Sequence, residues 1–386
     1  MIKVSEIASK VQPSLTRKLF NMAKQYDNVI DFTLGDPDVH TADGIKSAAC
    51  NAIINNHTRY SQNAGLLDLR LAIQKYNEKK EGISYKADGE VIVTVGAMEG
   101  LFLALLSTIN KGDEVIIPAP YYVNYVQMVN ICGGVPIIVS NDENPLRIST
   151  ESIERAVTPK TKAILLNTPS NPSGMVVSNE ELKAVARIAN ENDLLVLTDE
   201  VYKCLIYDDK KRPCSIATLE GMKERTLFIN SMSKEFCMTG YRLGYVCGPE
   251  VIIAAMTKLQ ENVVACAPLP SQYAAIEALR TDVDYSSNMS NIFANRRNTL
   301  VREFSKISGL VCKAPEATFY AMIDISKTGM KSEEFAYALL KSVQVAVVPG
   351  VTYGSMCDNY IRIAFTLNEE KIVEGIRRIK TFVESL

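Results

Sequence analysis

Apolar and polar positions follow two different rhythms along this chain. From about residue 90 to about residue 250, short apolar runs are separated by segments with helical spacing. The runs are VIVTV (91–95), DEVIIP (113–118), VPIIV (135–139), KAILLN (162–167), LLVLTDE (194–200), TLFIN (226–230) and GYVCG (244–248). Several are rich in Val, Ile and Leu without polar alternation, the pattern of strands covered on both faces. AMEGLFLALLSTIN (97–110) and SNEELKAVARIANEN (178–192) carry the helical spacing between them. Strand and helix in turn predict the α/β class, with a mostly parallel sheet flanked by helices. Such sheets bind ligands in the crevice beyond the carboxyl ends of their strands.

The C-terminal part reads differently. ATFYAMIDIS (317–326) and YIRIAFT (360–366) read as strands, and KSEEFAYALLKS (331–342) as a helix. A last helix is predicted to begin at Thr366, with Glu369 three residues on at capping-box spacing. Ile372, Val373, Ile376, Ile379 and Val383 would line its apolar face. These elements predict a second, smaller α+β domain on which the N-terminal segment folds back. The expected division is a large domain over 41–280 and a discontinuous small domain over 1–40 and 281–386.

Composition narrows the classes. With 386 residues, 47% of them hydrophobic, the chain can bury a large core and form more than one domain. A formal net charge of -2 gives no support to nucleic-acid or polybasic membrane binding. Nine cysteines without a CxxC pair, and only His40 and His57, point away from a metal site. The N-terminus, MIKVSEIASKVQPSLTRKLF, is broken by charges and lacks a signal-peptide apolar core. No run approaches the ~18 apolar residues of a membrane span. A cytoplasmic protein is expected, with reduced cysteines.

Four strand ends carry polar residues. VIVTVGAMEG passes from a strand through Gly96 into a helix, whose N-terminus offers N–H groups and positive dipole to an anion. NTPSNPSG (167–174) places Asn171 in a tight turn. LLVLTDEVY ends a strand on Asp199, with Tyr202 three residues later; the carboxylate either caps a helix or pairs with a ligand cation. SMSKEFCMTGYRLGY (231–245) follows the last parallel run with Ser231, Lys234 and Arg242. A lysine held out of water is a nucleophile toward carbonyls, and serine with arginine suits a phosphate. Alone, each feature is a turn, a cap or a surface charge. Together they ask for a ligand with a phosphate, a cationic ring nitrogen, a phenolic oxygen and an aldehyde. That ligand is pyridoxal 5′-phosphate.

The ordered series GDP, RY, PSNPSG, TDEVY, SMSKEFCMTGYRLGY and RIAF resembles the class I/II pyridoxal-phosphate-dependent aminotransferases over nearly the whole chain. This is the fold-type-I family related to aspartate aminotransferase. The resemblance implies that Lys234 forms the internal aldimine and shuttles the proton, while Asp199 keeps the pyridine nitrogen protonated. It implies that Tyr202 and Asn171 hydrogen-bond the phenolate oxygen, and that Tyr122 stacks on the ring. Gly96, Ala97, Met98, Ser231 and Arg242 would bind the phosphate, with Tyr60 reaching it from a second subunit of a homodimer. Arg362 and Gly35 would hold the substrate α-carboxylate, beside Tyr122 and Asn171.

The implied reaction moves the α-amino group of an L-amino acid to a 2-oxo acid, 2-oxoglutarate or pyruvate, by a ping-pong mechanism. One branch of the family places a lysine where this chain has Met98, to read a second carboxylate. Met98 leans toward neutral or aromatic donors, with an arginine of the partner subunit as another route to an acidic one. A carbon–sulfur β-lyase on the same scaffold is the alternative enzyme. A ligand-sensing transcription regulator is disfavoured, because the motif series begins near residue 32 and leaves no room for a DNA-binding module.

Overall fold

All seven apolar runs between residues 91 and 248 form strands in the computed structural model, which describes residues 3–11, 15–208, 212–280, 283–285 and 287–386. After a short β1 (Ile30–Asp31) come β2 (Val91–Thr94), β3 (Glu114–Pro118), β4 (Val135–Val139) and β5 (Thr161–Asn167). Then follow β6 (Leu195–Asp199), β7 (Thr226–Ser231) and β8 (Gly244–Cys247). Strands β2 to β8 form one sheet in the order β2-β8-β7-β6-β5-β3-β4. Every neighbouring pair is parallel except those of β8, which runs antiparallel to β2 and β7.

Continuous apolar sequence is used on both faces. On β2, Val91 and Val93 pack with Ile73 and Tyr245, while Ile92 packs on the other side with Leu101 and Met256. Each such buried Val, Leu or Ile contributes ~1.5–3 kcal/mol. The helices predicted between strands form over Gly96–Thr108 and Asn179–Glu191, the second with a Ser178/Glu181 capping box. Strand β4 is the exception to double coverage: it lies at the sheet edge, and Val135 and Ile138 are exposed.

A second sheet is antiparallel. Its strands are β9 (Val311–Cys312), β10 (Tyr320–Asp324), β12 (Val348–Pro349) and β13 (Tyr360–Ala364), with β11 (Val345–Ala346) pairing elsewhere. The order is β12-β13-β10-β9, and β11 pairs in parallel with β1. That pairing ties the N-terminal segment to the C-terminal elements. Phe32, Phe293, Phe319, Phe335 and Phe365 share the core of this part.

The last helix, Glu369–Val383, corrects one expectation. Its cap is Asn368, which accepts from the Lys371 N–H, whereas Thr366 donates its hydroxyl to the Leu34 carbonyl. Ile372, Ile376 and Ile379 are buried as expected, but Val373 is 38% exposed and Phe382 takes its place inside. Val373 sits one residue, about 100°, round the helix from Ile372.

Gly244 fixes how closely the sheet approaches the helix that starts at Gly96. A Cβ on Gly244 would stand 2.5 Å from the Ala97 nitrogen and 2.6 Å from the Gly96 carbonyl carbon. Gly244→Ala is expected to destabilise the protein by ~1–3 kcal/mol. Gly240→Ala is the control, because a Cβ there meets nothing within 4 Å. Equal melting temperatures for the two variants would show that the turn yields.

Candidate active site

The carboxyl ends of β5, β6 and β7 open into a cleft of about 760 Å³. Asp199, the last residue of β6, is buried there. Tyr125 donates its hydroxyl to Asp199 Oδ2 at 2.6 Å, and the Val201 N–H approaches Oδ1 at 3.4 Å. Burial raises the carboxyl to about 6, with the Tyr125 hydrogen bond acting in the opposite direction. Burial also drives the Tyr125 phenol well up, and the Asp199 charge adds to it, so Tyr125 remains a donor.

Two side-chain amides join the neighbouring strand ends. Asn167, at the end of β5, donates to the Asp199 carbonyl at 3.1 Å and accepts from the Asn171 N–H at 2.8 Å. Asn171 in turn accepts from Arg362 Nη1 at 3.3 Å, which leaves its NH2 as the donor end. The tight turn expected at NPSG is present, with Gly174 at φ +68°.

At the end of β7, Ser231 caps the single helical turn Met232–Glu235, its hydroxyl accepting from the Ser233 N–H at 3.3 Å. This turn carries Lys234 into the cleft. Lys234 Nζ donates to the Gly35 carbonyl at 2.7 Å and lies 5.4 Å from the centre of the Phe319 ring. Gly35 has to be glycine, because a Cβ there would lie 1.6 Å from the Tyr320 hydroxyl. That hydroxyl is 3.2 Å from the hydroxyl of Tyr202, which is buried beside it. Burial first, and then Tyr320, push the Tyr202 phenol well up and keep it neutral.

Arg242 covers the start of the Gly96–Thr108 helix. Gly96 has φ +77°, and Arg242 Nη2 lies 2.6 Å from where its Cβ would be. Arg242 also donates from Nη1 to the Thr239 carbonyl at 2.9 Å. Tyr122 packs edge-on against Tyr125, ring centres 5.4 Å apart, and burial pushes its phenol up to about 12.

Arg362 is neither exposed nor on an edge strand. It lies within β13 between Met322 and Val348 and is 4% exposed. Its guanidinium lies 4.4 Å from the Tyr320 ring centre and 5.3 Å from that of Tyr353. Nη2 donates to the Thr33 carbonyl, while Nε is buried with no partner among the described residues.

Every residue expected at the site lines this cleft except two. Gly96 lies under Arg242, and Tyr60 is 86% exposed, outside its walls. Sequence reasoning missed Tyr125 and Tyr320. Tyr125 carried a signal, standing three residues after Tyr122 in PAPYYVNY; nothing in ATFYAMIDIS marks the Tyr320 phenol as different from other strand tyrosines.

A smaller cavity of about 220 Å³ adjoins the Lys234 turn and is lined by Asn230 and Glu235. Lys203 Nζ bridges Glu81 at 2.6 Å and Glu200 at 2.9 Å there, and Tyr76 donates to Glu235. Burial raises the Glu235 carboxyl to about 7. A carboxyl raised on folding stabilises the folded state while protonated, and that contribution is lost as pH climbs from the unfolded value toward the folded one. Glu235→Gln keeps an acceptor for Tyr76 but cannot ionise. Its melting temperature relative to wild type is expected to rise by a few degrees between about pH 5 and about pH 8. A pH-independent difference would contradict this.

The sequence model of the family described as Aminotransferase class I and II matches residues 27–379. The chain is 36% identical over 380 residues to aromatic-amino-acid aminotransferase 2 of Thermococcus litoralis, covering 98% of this chain and 97% of that one. It is 38% identical over 380 residues to the aspartate aminotransferase of Pyrococcus abyssi, again covering 98% and 97%. Among solved structures, the aspartate aminotransferase from Thermus thermophilus with maleate matches with a TM-score of 0.93 at 32% identity, over 99% of this chain and 100% of that one. The chain belongs to the class I and II aminotransferases, an enzyme family that in general depends on pyridoxal 5′-phosphate.

Proposed function

We propose that the cleft binds pyridoxal 5′-phosphate and transfers the α-amino group of an L-amino acid to a 2-oxo acid, 2-oxoglutarate or pyruvate, in a ping-pong cycle. The observation that carries this reading is one cleft, opening at the carboxyl ends of three strands, that gathers a lysine amine, a buried carboxylate and the guanidinium groups of Arg242 and Arg362. The donor set fits the cofactor. Asp199, raised to about 6 by burial, gains from a cationic ring nitrogen beside it. Arg242, the Ser231 hydroxyl and the N–H groups of Ala97 and Met98 suit the phosphate, with Gly96 allowing the approach. Tyr202 and the Asn171 NH2 suit the phenolic oxygen, and Tyr122 an aromatic ring.

When bound, the cofactor supplies an aldehyde that joins amines and a ring that takes up the electron pair left at Cα. The chain supplies the rest. Arg362, with Gly35, holds the α-carboxylate, and its unpartnered Nε gains an acceptor. This fixes the direction of the Cα–H bond, and Lys234 Nζ takes that proton. Met98 and Leu101 make an apolar wall suited to neutral or aromatic donors. Tyr60, exposed in one subunit, serves the partner's phosphate in a homodimer. The two sheets would then belong to the large and small domains, 41–280 against 1–40 and 281–386, in a cytoplasmic enzyme.

Borohydride reduction of the holoenzyme, followed by peptide mapping, is expected to fix the cofactor on Lys234. Lys234→Ala is expected to lower transamination by on the order of 10²–10⁴ or more. Labelling elsewhere would end this reading, and acceptor-independent release of pyruvate, ammonia and thiol from cystathionine would assign a β-lyase instead.

Cofactor binding should also depend on pH through Asp199. Below about 6 its carboxyl protonates and loses its attraction for the ring nitrogen, so affinity is expected to fall by up to about tenfold per pH unit from this group. Titrating cofactor into Asp199→Asn, which binds more weakly throughout, should give a shallower pH dependence than wild type. Parallel profiles would separate Asp199 from the ring.

A further inference from the structure

Tyr320 lines the cleft, yet the proposed reaction gives it no task. It stands at the start of β10, paired with Ala364 of β13. Its side chain is therefore on the same face as Arg362, its diagonal neighbour across the two strands. The Arg362 guanidinium lies 4.4 Å from the Tyr320 ring centre. The hydroxyl at the end of that ring is 3.2 Å from the Tyr202 hydroxyl, and both tyrosines are buried.

The backbone is strained where it delivers this side chain. Thr318, two residues earlier, has φ +64°, a left-handed conformation that a β-branched residue rarely adopts. Hydrogen bonds hold it on three sides. Its N–H donates to the Leu205 carbonyl at 3.0 Å, and its carbonyl accepts from the Tyr207 hydroxyl. Its own hydroxyl accepts from the Tyr320 N–H at 3.0 Å, which ties the bend to Tyr320 itself. Gly35 leaves room for the Tyr320 hydroxyl, which a Cβ there would displace. The Tyr202 ring is set edge-on against Phe319 and Tyr320, with centres 5.5 and 5.7 Å away. Backbone strain maintained by its surroundings is found at sites where the direction of a side chain matters.

Two phenols in contact use one of their two hydrogens between them, and either can be the donor. If Tyr202 donates to Tyr320, its hydrogen is spent there and a cofactor's phenolic oxygen receives none from it. If Tyr320 donates, the Tyr202 hydrogen is free for the cofactor. It is then also the stronger donor, because each hydrogen bond in a chain polarises the next. Burial keeps the Tyr202 phenol neutral, so it has that hydrogen to give. We infer that Tyr320 is a positioning residue: it donates to the Tyr202 hydroxyl and turns that hydroxyl toward the phenolic oxygen of the cofactor. This rests on the cleft being the cofactor site and on Tyr202 meeting that oxygen there.

Tyr320→Phe removes the hydroxyl and keeps the ring under Arg362. Its effect is read without turnover, as the affinity of the full chain, stripped of cofactor, for two ligands in equilibrium dialysis. One is pyridoxal 5′-phosphate; the other is 3-deoxypyridoxal 5′-phosphate, which lacks the phenolic oxygen. Tyr320→Phe is expected to weaken binding of the first about three- to tenfold and to leave the second within about twofold. In a Tyr202→Phe background the same substitution should change neither, because the hydroxyl it acts through is gone. Equal losses for both ligands, or the full loss persisting in Tyr202→Phe, would show a merely structural role and overturn the assignment. Unchanged affinity of Tyr320→Phe for pyridoxal 5′-phosphate would overturn it as well. Failure of the underlying reading has its own signature: wild type binds neither ligand, or Tyr202→Phe alone does not discriminate between them. Either result would take the role of Tyr320 with it.

Discussion

A carboxylate buried at the end of a central strand is the constraint around which the site is organised. Desolvation of Asp199 is only partly offset by the Tyr125 hydroxyl and the Val201 N–H, and the carboxyl consequently rises to about 6. An apolar residue at this position would remove that cost. Keeping the acid has a rationale if a cation is to be placed against it. Arg362 presents the complementary case: it is buried within a strand, satisfied at both terminal nitrogens and unsatisfied at Nε. One group asks for a cation and the other for an anion, and both face the same cleft. Stability is given up at both points in favour of a ligand that carries both charges.

The two groups come from different sheets, and some of the contacts between those parts of the chain run through the site. Asp199 ends β6 of the seven-stranded sheet, while Arg362 lies in β13 of the antiparallel one. Without any ligand they are already linked: Arg362 donates to Asn171, Asn171 to Asn167, and Asn167 to the Asp199 carbonyl. The N-terminal segment closes the circuit. Its Thr33 carbonyl meets Arg362, its Gly35 carbonyl meets Lys234, and β1 anchors it against β11. The Tyr202 and Tyr320 hydroxyls join the sheets at a further point. Ligand binding here would therefore act on the relative placement of the two sheets as well as on its own contacts.

Much of this was legible in the sequence for one physical reason. Strands covered on both faces read as unbroken apolar runs, so a polar residue at the end of a run, such as Asp199 or Ser231, is conspicuous. Lys234 and Arg242 were legible through their order and spacing in the same stretch. What was not legible depends on contacts between distant segments. Tyr125 and Asp199 are 74 residues apart, Tyr202 and Tyr320 118. Asn368 replaced Thr366 as a helix cap because the Thr366 hydroxyl is taken by Leu34, 332 residues away.

The precision of the Arg362 side of the site is inherited from strand register. In YIRIAFT, Ile361 and Ile363 enter the phenylalanine-rich core, and Arg362 between them points to the opposite face. There it stands across from Met322 and Val348, which pack with Tyr353 in a separate cluster. Side chains alternate along a strand with period two, so a slip of one residue would drive the guanidinium into the aromatic core and expel both isoleucines. The apolar cost of that slip locks the arginine in place more firmly than its own two hydrogen bonds. An arginine that must find a carboxylate repeatedly, with Nε held unsatisfied between encounters, is best carried by a strand whose register the core enforces.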